Sequence, residues 1–285
     1  MLLAQILTNG LLLGGLYGLM ALGMALIWGV LNIVNLAHGA LIMLGGYAVY
    51  FMFTAAGIDP FAALPVAMLV MFAFGYALQR FLLNLIVRSA PLNTLLITFG
   101  LDVVLTYLAQ LAFSADFRAI NPSYAGANVT VLGITIPLAR LAAFAVALVL
   151  AAALWLLLER TRLGRAIRAT AQNLVAARLY GVDPRQLYAV TFGIGAALAG
   201  AAGGLYGVVS QLTPYVGTNL TVKSFVIAIM GGLENPFGIL AGGLVIGVAE
   251  ALAALYLGPT FTDAISFGLL VVILVARPVR SLKGA

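Results

Sequence analysis

The chain has 285 residues, of which 64% are hydrophobic and only 8% charged, with a mean hydropathy of +1.15. Soluble domains run at roughly 45–50% apolar and about 25% charged residues, so this composition excludes an ordinary water-soluble fold. The absence of cysteine excludes disulfides, cysteine metal sites and thiol nucleophiles. The formal net charge of +6 comes mainly from clustered arginines, which bears on membrane orientation and not on nucleic-acid binding.

Crossing a bilayer as a helix takes about 20 apolar residues. The first such run covers about residues 6–31. No Lys or Arg precedes Arg80, so no secretory n-region is present and the run reads as a retained spanning helix. Its glycines, Gly10, Gly14, Gly15, Gly18 and Gly23, suit close helix packing. The stretch LNIVNLAHGALIMLGGY follows. Within it Asn32, Asn35 and His38 step by three and share one side of the helix if it continues unbroken.

A second run covers 39–56, Asp59-Pro60 makes a turn, and a third run covers 61–79 before Arg80 and Arg88 mark the cytoplasmic side. The fourth, about 92–113, carries Thr94, Thr98, Asp102, Thr106 and Gln110 at i+4 spacing, a polar stripe down an apolar helix. Residues 114–136 hold turn formers and the alternating VTVLGITI, the pattern of a small outer hairpin. The fifth run covers 137–158.

The long polar interruption is 159–187, with Arg160, Arg162, Arg165, Arg168, Arg178 and Arg185 against Glu159 and Asp183. Its arginine excess places it in the cytoplasm. Ile167, Ala171, Val175 and Leu179 recur at i+4 with Leu174 beside them, which predicts one amphipathic helix. Gly181 is the expected stop, and Asp183-Pro184 an N-cap with proline at the first helical position. Charge alone fits an ordinary positive-inside loop; length and patterning point to a protrusion that docks another protein.

Beyond it, the sixth run (188–211) contains GAALAGAAGGLYG. Residues 213–220 read as external, 222–232 as a short apolar piece, and GGLENPFG as a break at the cytoplasmic side. Runs at 239–257 and 261–276 follow, the latter ending in Arg277, Arg280 and Lys283. The positive-inside rule gives nine crossings, with the N-terminus outside and the C-terminus inside. The expected fold is all-α: one polytopic domain over 1–285, with eight or nine transmembrane helices, some broken, and a cytoplasmic coupling helix. The segment 222–232 is short for a crossing and reads as a half-helix buried in protein.

Enzyme signatures are missing. The two lysines, Lys223 and Lys283, do not follow glycine, so no P-loop exists; HExxH and GxSxG are absent, and the single His38 builds no multi-histidine metal site. Ionisable groups inside the bilayer are functional candidates. Asp102 either faces a substrate path, where it would attract an ammonium group, or pairs with a buried donor. Glu250 reads more readily as structural, Lys223 as snorkelling outward, and His38 as a packing or helix-end residue.

Three stretches together resemble a known family: LNIVNLAHGALIMLGGY; RTRLGRAIRATAQNLVAARLYGV with TFGIGAALAGAAGGLYG; and KSFVIAIMGGLENPFGILAGGLVIGVAEAL. Their order and spacing are similar to those of permease subunits of branched-chain amino acid ABC importers, the LivH/LivM group, and within it the LivH type. The resemblance extends over nearly the whole chain. It implies a subunit of a bacterial inner-membrane importer of branched-chain or other neutral amino acids, with relatives that carry amides or urea. It implies a second, LivM-like permease, two cytoplasmic ATPases, a periplasmic binding protein and membrane lipid as partners, with no nucleic acid. ATP and magnesium would be used on the ATPases, with no cofactor, metal or catalytic residue in this chain.

The resemblance also makes the arginine stretch the coupling element, with Arg162, Gly164, Arg165, Arg168, Ala169, Asn173, Ala176 and Gly181 at family-like positions. The expected substrate path draws on Asn32, Asn35, His38, Thr98, Asp102, Thr106 and Glu250. Two places depart from the family pattern: Asp102, where a small residue is expected, and Glu234-Asn235, where a Gly-Ser-like pair is commoner. An acid on the path favours a substrate carrying a positive group. The alternatives are a permease for urea or short amides, and a self-sufficient ion-coupled carrier with broken helices and a midplane site.

Overall fold

Two interruptions of otherwise continuous helix organise the molecule. The computed structural model describes residues 1–87, 90–131 and 133–276; Arg88, Arg277, Arg280 and Lys283 lie outside the described residues. Helix α1 runs Leu2–Leu31, 30 residues, more than a bilayer needs at 1.5 Å per residue. Asn32 stops it at φ 54°, a left-handed conformation that asparagine enters more readily than most residues. After six non-helical residues α2 begins, His38–Ala56. The unbroken helix that would align Asn32, Asn35 and His38 is therefore not formed.

Asp59 caps α3, Pro60–Phe81, by accepting from the Phe61 N–H at 2.9 Å. After α4, Pro91–Phe113, strands β1 (Asn128–Val131) and β2 (Ile134–Pro137) form the expected antiparallel hairpin, with Val129 opposite Ile136. Then come α5, Leu138–Arg160, and two short helices, α6 (Arg162–Gln172) and α7 (Leu174–Leu179). The chain re-enters as α8, Pro184–Val209, followed by α9 (Val216–Gly231), α10 (Pro236–Tyr256) and α11 (Thr262–Ala276). Among the described residues seven helices are long and apolar enough to span; α9 is apolar but shorter. It begins at Val216, so much of the expected outer loop 213–220 is helical.

The second interruption repeats the first. α8 ends at Val209 and α9 starts at Val216, again after six non-helical residues. Helices α2 and α9 meet head to head at Gly39 and Gly217. A Cβ on Gly39 would overlap the Gly217 backbone, and one on Gly217 would lie 2.8 Å from the Gly39 carbonyl carbon. Thr221 fastens the crossing: its hydroxyl accepts from the Gly39 N–H at 2.8 Å and lies 3.1 Å from the Gly217 carbonyl oxygen. This junction is why α9 starts early, since Val216–Leu220 are held against α2 instead of running free.

The repetition extends to the packing. α1 lies antiparallel along α10, and α3 antiparallel along α8. The series α1–α2–α3 and α8–α9–α10 thus match, one inverted against the other, as in inverted-topology transport folds. α1 and α8 are interior helices, while α4 and α5 turn most of their surface outward. Outward residues such as Leu96, Phe99 and Leu111 are apolar, as a lipid-facing surface requires.

The loops and helix ends sort into two opposite caps. At one, Gln5 Nε2 donates to the Thr135 carbonyl at 2.5 Å, Tyr124 donates to Asp59 Oδ2 at 2.6 Å, and Arg118 exchanges two backbone hydrogen bonds with Leu212 at 2.9 and 2.7 Å. Burial, the hydrogen bond and the carboxylate's charge raise the Tyr124 phenol above its ordinary pKa. The other cap collects the end of α1, the end of α3, α6, α7 and the start of α8, with most of the arginines.

Candidate functional site

The arginine-rich cap is a helical hairpin set against the membrane helices. Thr161 starts α6: its hydroxyl accepts from the Gly164 N–H at 2.9 Å and donates to the Leu157 carbonyl at 2.6 Å. Gly164 sits against the last turn of α5, where a Cβ would press within 2.5 Å of Leu158 Cα. Ile167, 1% exposed, and the buried Thr170 face inward, while Arg162, Arg165 and Ala169 face out. Arg168 forms an ion pair with Glu159 at the end of α5.

Asn173 then interrupts the helix. Its backbone is extended (φ −154°, ψ 99°) and its side chain caps α7 by accepting from the Ala176 N–H at 2.9 Å. The single amphipathic helix expected across 159–181 is therefore two helices. An asparagine side chain competes for backbone N–H groups in this way. The break separates the i+4 series: Ile167 is buried, whereas Val175 and Leu179 are 67% and 84% exposed, with Tyr180 beside them at 90%. Gly181 ends the hairpin at φ 84°, and Asp183 caps α8 on the Arg185 N–H at 3.0 Å with Pro184 in the first turn, both as expected.

The candidate path residues divide. Asn35, His38 and Thr98 gather around the first interruption. Asn35 Oδ1 accepts from the Ala37 N–H at 3.2 Å, and its amide nitrogen is buried with no hydrogen-bond partner among the described residues. His38 Nε2 lies 2.9 Å from the Met20 carbonyl oxygen, so that nitrogen carries the proton. Thr98 Oγ1 lies 3.2 Å from the Val34 carbonyl oxygen. The α4 stripe turns inward: Thr94 and Thr98 are buried, Asp102 and Thr106 half-buried, and Asp102 Oδ1 is enclosed with no hydrogen-bond partner among the described residues. Asn32 is elsewhere, exposed at the arginine-rich cap beside Arg80 and Arg185.

Glu250 joins a different set. Its carboxylate takes Lys223 Nζ at 2.9 and 3.1 Å and the Ser266 hydroxyl at 2.5 Å, and Lys223 Nζ lies 5.0 Å from the centre of the Tyr17 ring. One buried cluster thereby ties α1, α9, α10 and α11. Lys223 does not snorkel outward as its sequence position suggested. Reasoning from sequence missed Tyr17 and Ser266, which carry no mark among so many apolar residues. A signal for the ion pair existed: two lone opposite charges in neighbouring apolar segments need each other. Among the described residues no three His, Asp or Glu side chains gather to hold a metal ion.

Residues 6–274 match the family model described as the branched-chain amino acid transport system permease component. The chain is 32% identical to the high-affinity branched-chain amino acid transport system permease protein BraD of Pseudomonas aeruginosa, over 96% of this chain and 94% of that protein. It is 33% identical to the corresponding protein LivH of Salmonella typhimurium, over 96% and 93%. A more distant relative is LivM of Escherichia coli, at 25% over 92% and 67%. A multi-pass inner-membrane chain with this match is a transport component and not an enzyme, and it belongs to the permease subunits of the branched-chain amino acid ABC transporter family.

Proposed function

We propose that this chain forms half of the membrane pathway of an ATP-driven importer of branched-chain or other neutral amino acids. A related, LivM-like permease forms the other half. Two cytoplasmic ATPases use ATP and magnesium, and a periplasmic binding protein delivers the substrate. The N-terminus lies on the periplasmic side and the C-terminus in the cytoplasm. Membership of an ABC family argues against the self-sufficient ion-coupled carrier.

The observation that carries the coupling role is the α6–α7 hairpin. Its inner face is fixed to α5 and α1 through Gly164 and Ile167, while Val175, Leu179 and Tyr180 stand bare beside arginines. Exposed apolar side chains rimmed by polar ones mark a protein contact. In this reading Arg162, Arg165 and Ala169 touch an ATPase, Gly164 and Arg168 anchor the hairpin to α5, and Asn173, Ala176 and Gly181 shape it.

The substrate path is assigned to the interrupted helices, where unwound backbone and unpartnered polar atoms converge. Asn35, His38, Thr98, Asp102 and Thr106 border it, whereas Asn32 and Glu250 serve the cap and the interior ion pair. Reconstitution with the partner subunits tests the reading. ATP-dependent uptake of leucine, outcompeting urea and acetamide, is the expected result; uptake driven by an ion gradient without ATPases would overturn it.

A further inference from the structure

The end of α3, the turn after it, α7 and the start of α8 enclose a cleft of about 520 Å³. Arg80, Arg178 and Arg185 line it together with Asn32 and Asn84, and among the described residues no acidic side chain does. None of the three guanidinium groups has a carboxylate partner among the described residues. Like charges gathered at one cleft repel, and an anion seated between them turns that cost into attraction. The start of α8 adds the positive end of a helix dipole. The nearby Asp183 carboxylate is engaged as the α8 cap.

The cluster is built into the fold. Asn84 bridges the two elements that carry Arg80 and Arg185: its Nδ2 donates to the Arg185 carbonyl at 3.1 Å, and its Oδ1 accepts from Gln79 Nε2 at 3.0 Å. Next to this cationic cleft lies an apolar rim. Phe81 and Leu85 are 75% and 79% exposed, and Leu85 and Val87 line the cleft itself. A free phosphate would fill the cleft and leave the rim bare, and an acidic protein segment would do the same. An anion carrying hydrocarbon chains satisfies both surfaces, and basic pockets between membrane helices recognise such headgroups.

We infer that this cleft holds the phosphodiester headgroup of an anionic phospholipid, with its acyl chains against Phe81 and Leu85. The bound lipid braces the joint between α3 and the α7–α8 turn. This inference does not rest on the transport reading, since the site would take its lipid whatever passes through the permease.

The test is native mass spectrometry of the intact complex, taken from nanodiscs of phosphatidylcholine with and without phosphatidylglycerol. Wild type should retain phosphatidylglycerol. Arg80→Gln and Arg185→Gln should each lower retention about fivefold, and Arg80→Lys, which keeps the charge, should restore most of it. Co-purified partner subunits, counted in the same spectra, report whether each variant is folded and assembled. Unchanged retention in the double Gln variant overturns the inference. So does loss of the ATPases with lipid retention intact, which would make the occupant an acidic protein surface. Displacement of the lipid by excess inorganic phosphate with no dependence on acyl chains would reduce the site to a free-anion site and also overturn it.

Discussion

Lys223 and Glu250 meet at 2.9 Å inside the helix bundle, with side chains 13% and 9% exposed. A pair so placed binds three later helices to α1 through Tyr17 and Ser266. Removing one partner leaves a buried charge uncompensated, at a cost of about 3–5 kcal/mol, whereas removing both is far milder. Lys223→Met and Glu250→Gln should each lower the thermal unfolding midpoint in detergent sharply, and the double variant should recover most of the loss. Additive losses would mean that the two side chains act independently.

Gly39 and Gly217 set a stricter requirement, because their backbones touch where α2 and α9 meet. Gly39→Ala should abolish accumulation of folded protein in the membrane. Gly100 supplies the control: a Cβ there meets nothing within 4 Å. Gly100→Ala, in the middle of α4, should be neutral or stabilising by up to about 1 kcal/mol. Comparable yields from the two variants would refute the tight junction.

At the hairpin, Arg165→Glu should separate ATP hydrolysis from transport while the membrane fold persists. Leu179→Asp should weaken retention of the ATPases through the exposed apolar tip. The half-exposed Arg168–Glu159 pair contributes little stability, about 0–1 kcal/mol. Arg168→Gln should therefore leave the unfolding midpoint nearly unchanged. Full coupled transport by the Arg165 variant would remove the coupling assignment.

Asp102 presents an enclosed carboxylate oxygen without a hydrogen-bond partner among the described residues. Asp102→Ala should change substrate range or rate, with uptake of substrates bearing an extra positive group falling most, and the amount of folded protein should hold steady. A variant that only loses folded protein would make Asp102 a packing residue.

Much of this was legible in the residues, because it depends on local chemistry. Hydropathy runs marked the spans, Asp59-Pro60 and Asp183-Pro184 marked helix starts, Gly181 marked a stop, and the alternating VTVLGITI marked the hairpin. The arginines sorted the two ends of the molecule. Local chemistry also misled: the i+4 series from Ile167 to Leu179 predicted one helix, and the Asn173 side chain split it by capping the Ala176 N–H.

What only the tertiary structure decided are relations between residues far apart in the chain. The interruptions at 32–37 and 210–215 look like ordinary loops until Gly39 meets Gly217 and shows them to be matched halves of one junction. Lys223 found Glu250 and Asn84 found Arg185 only once α9 lay on α10 and α3 beside α8. The physical reason is that hydropathy and capping act over a few neighbouring residues. The pairing of buried charges and glycine backbones is fixed by how the helices pack, which no single segment contains.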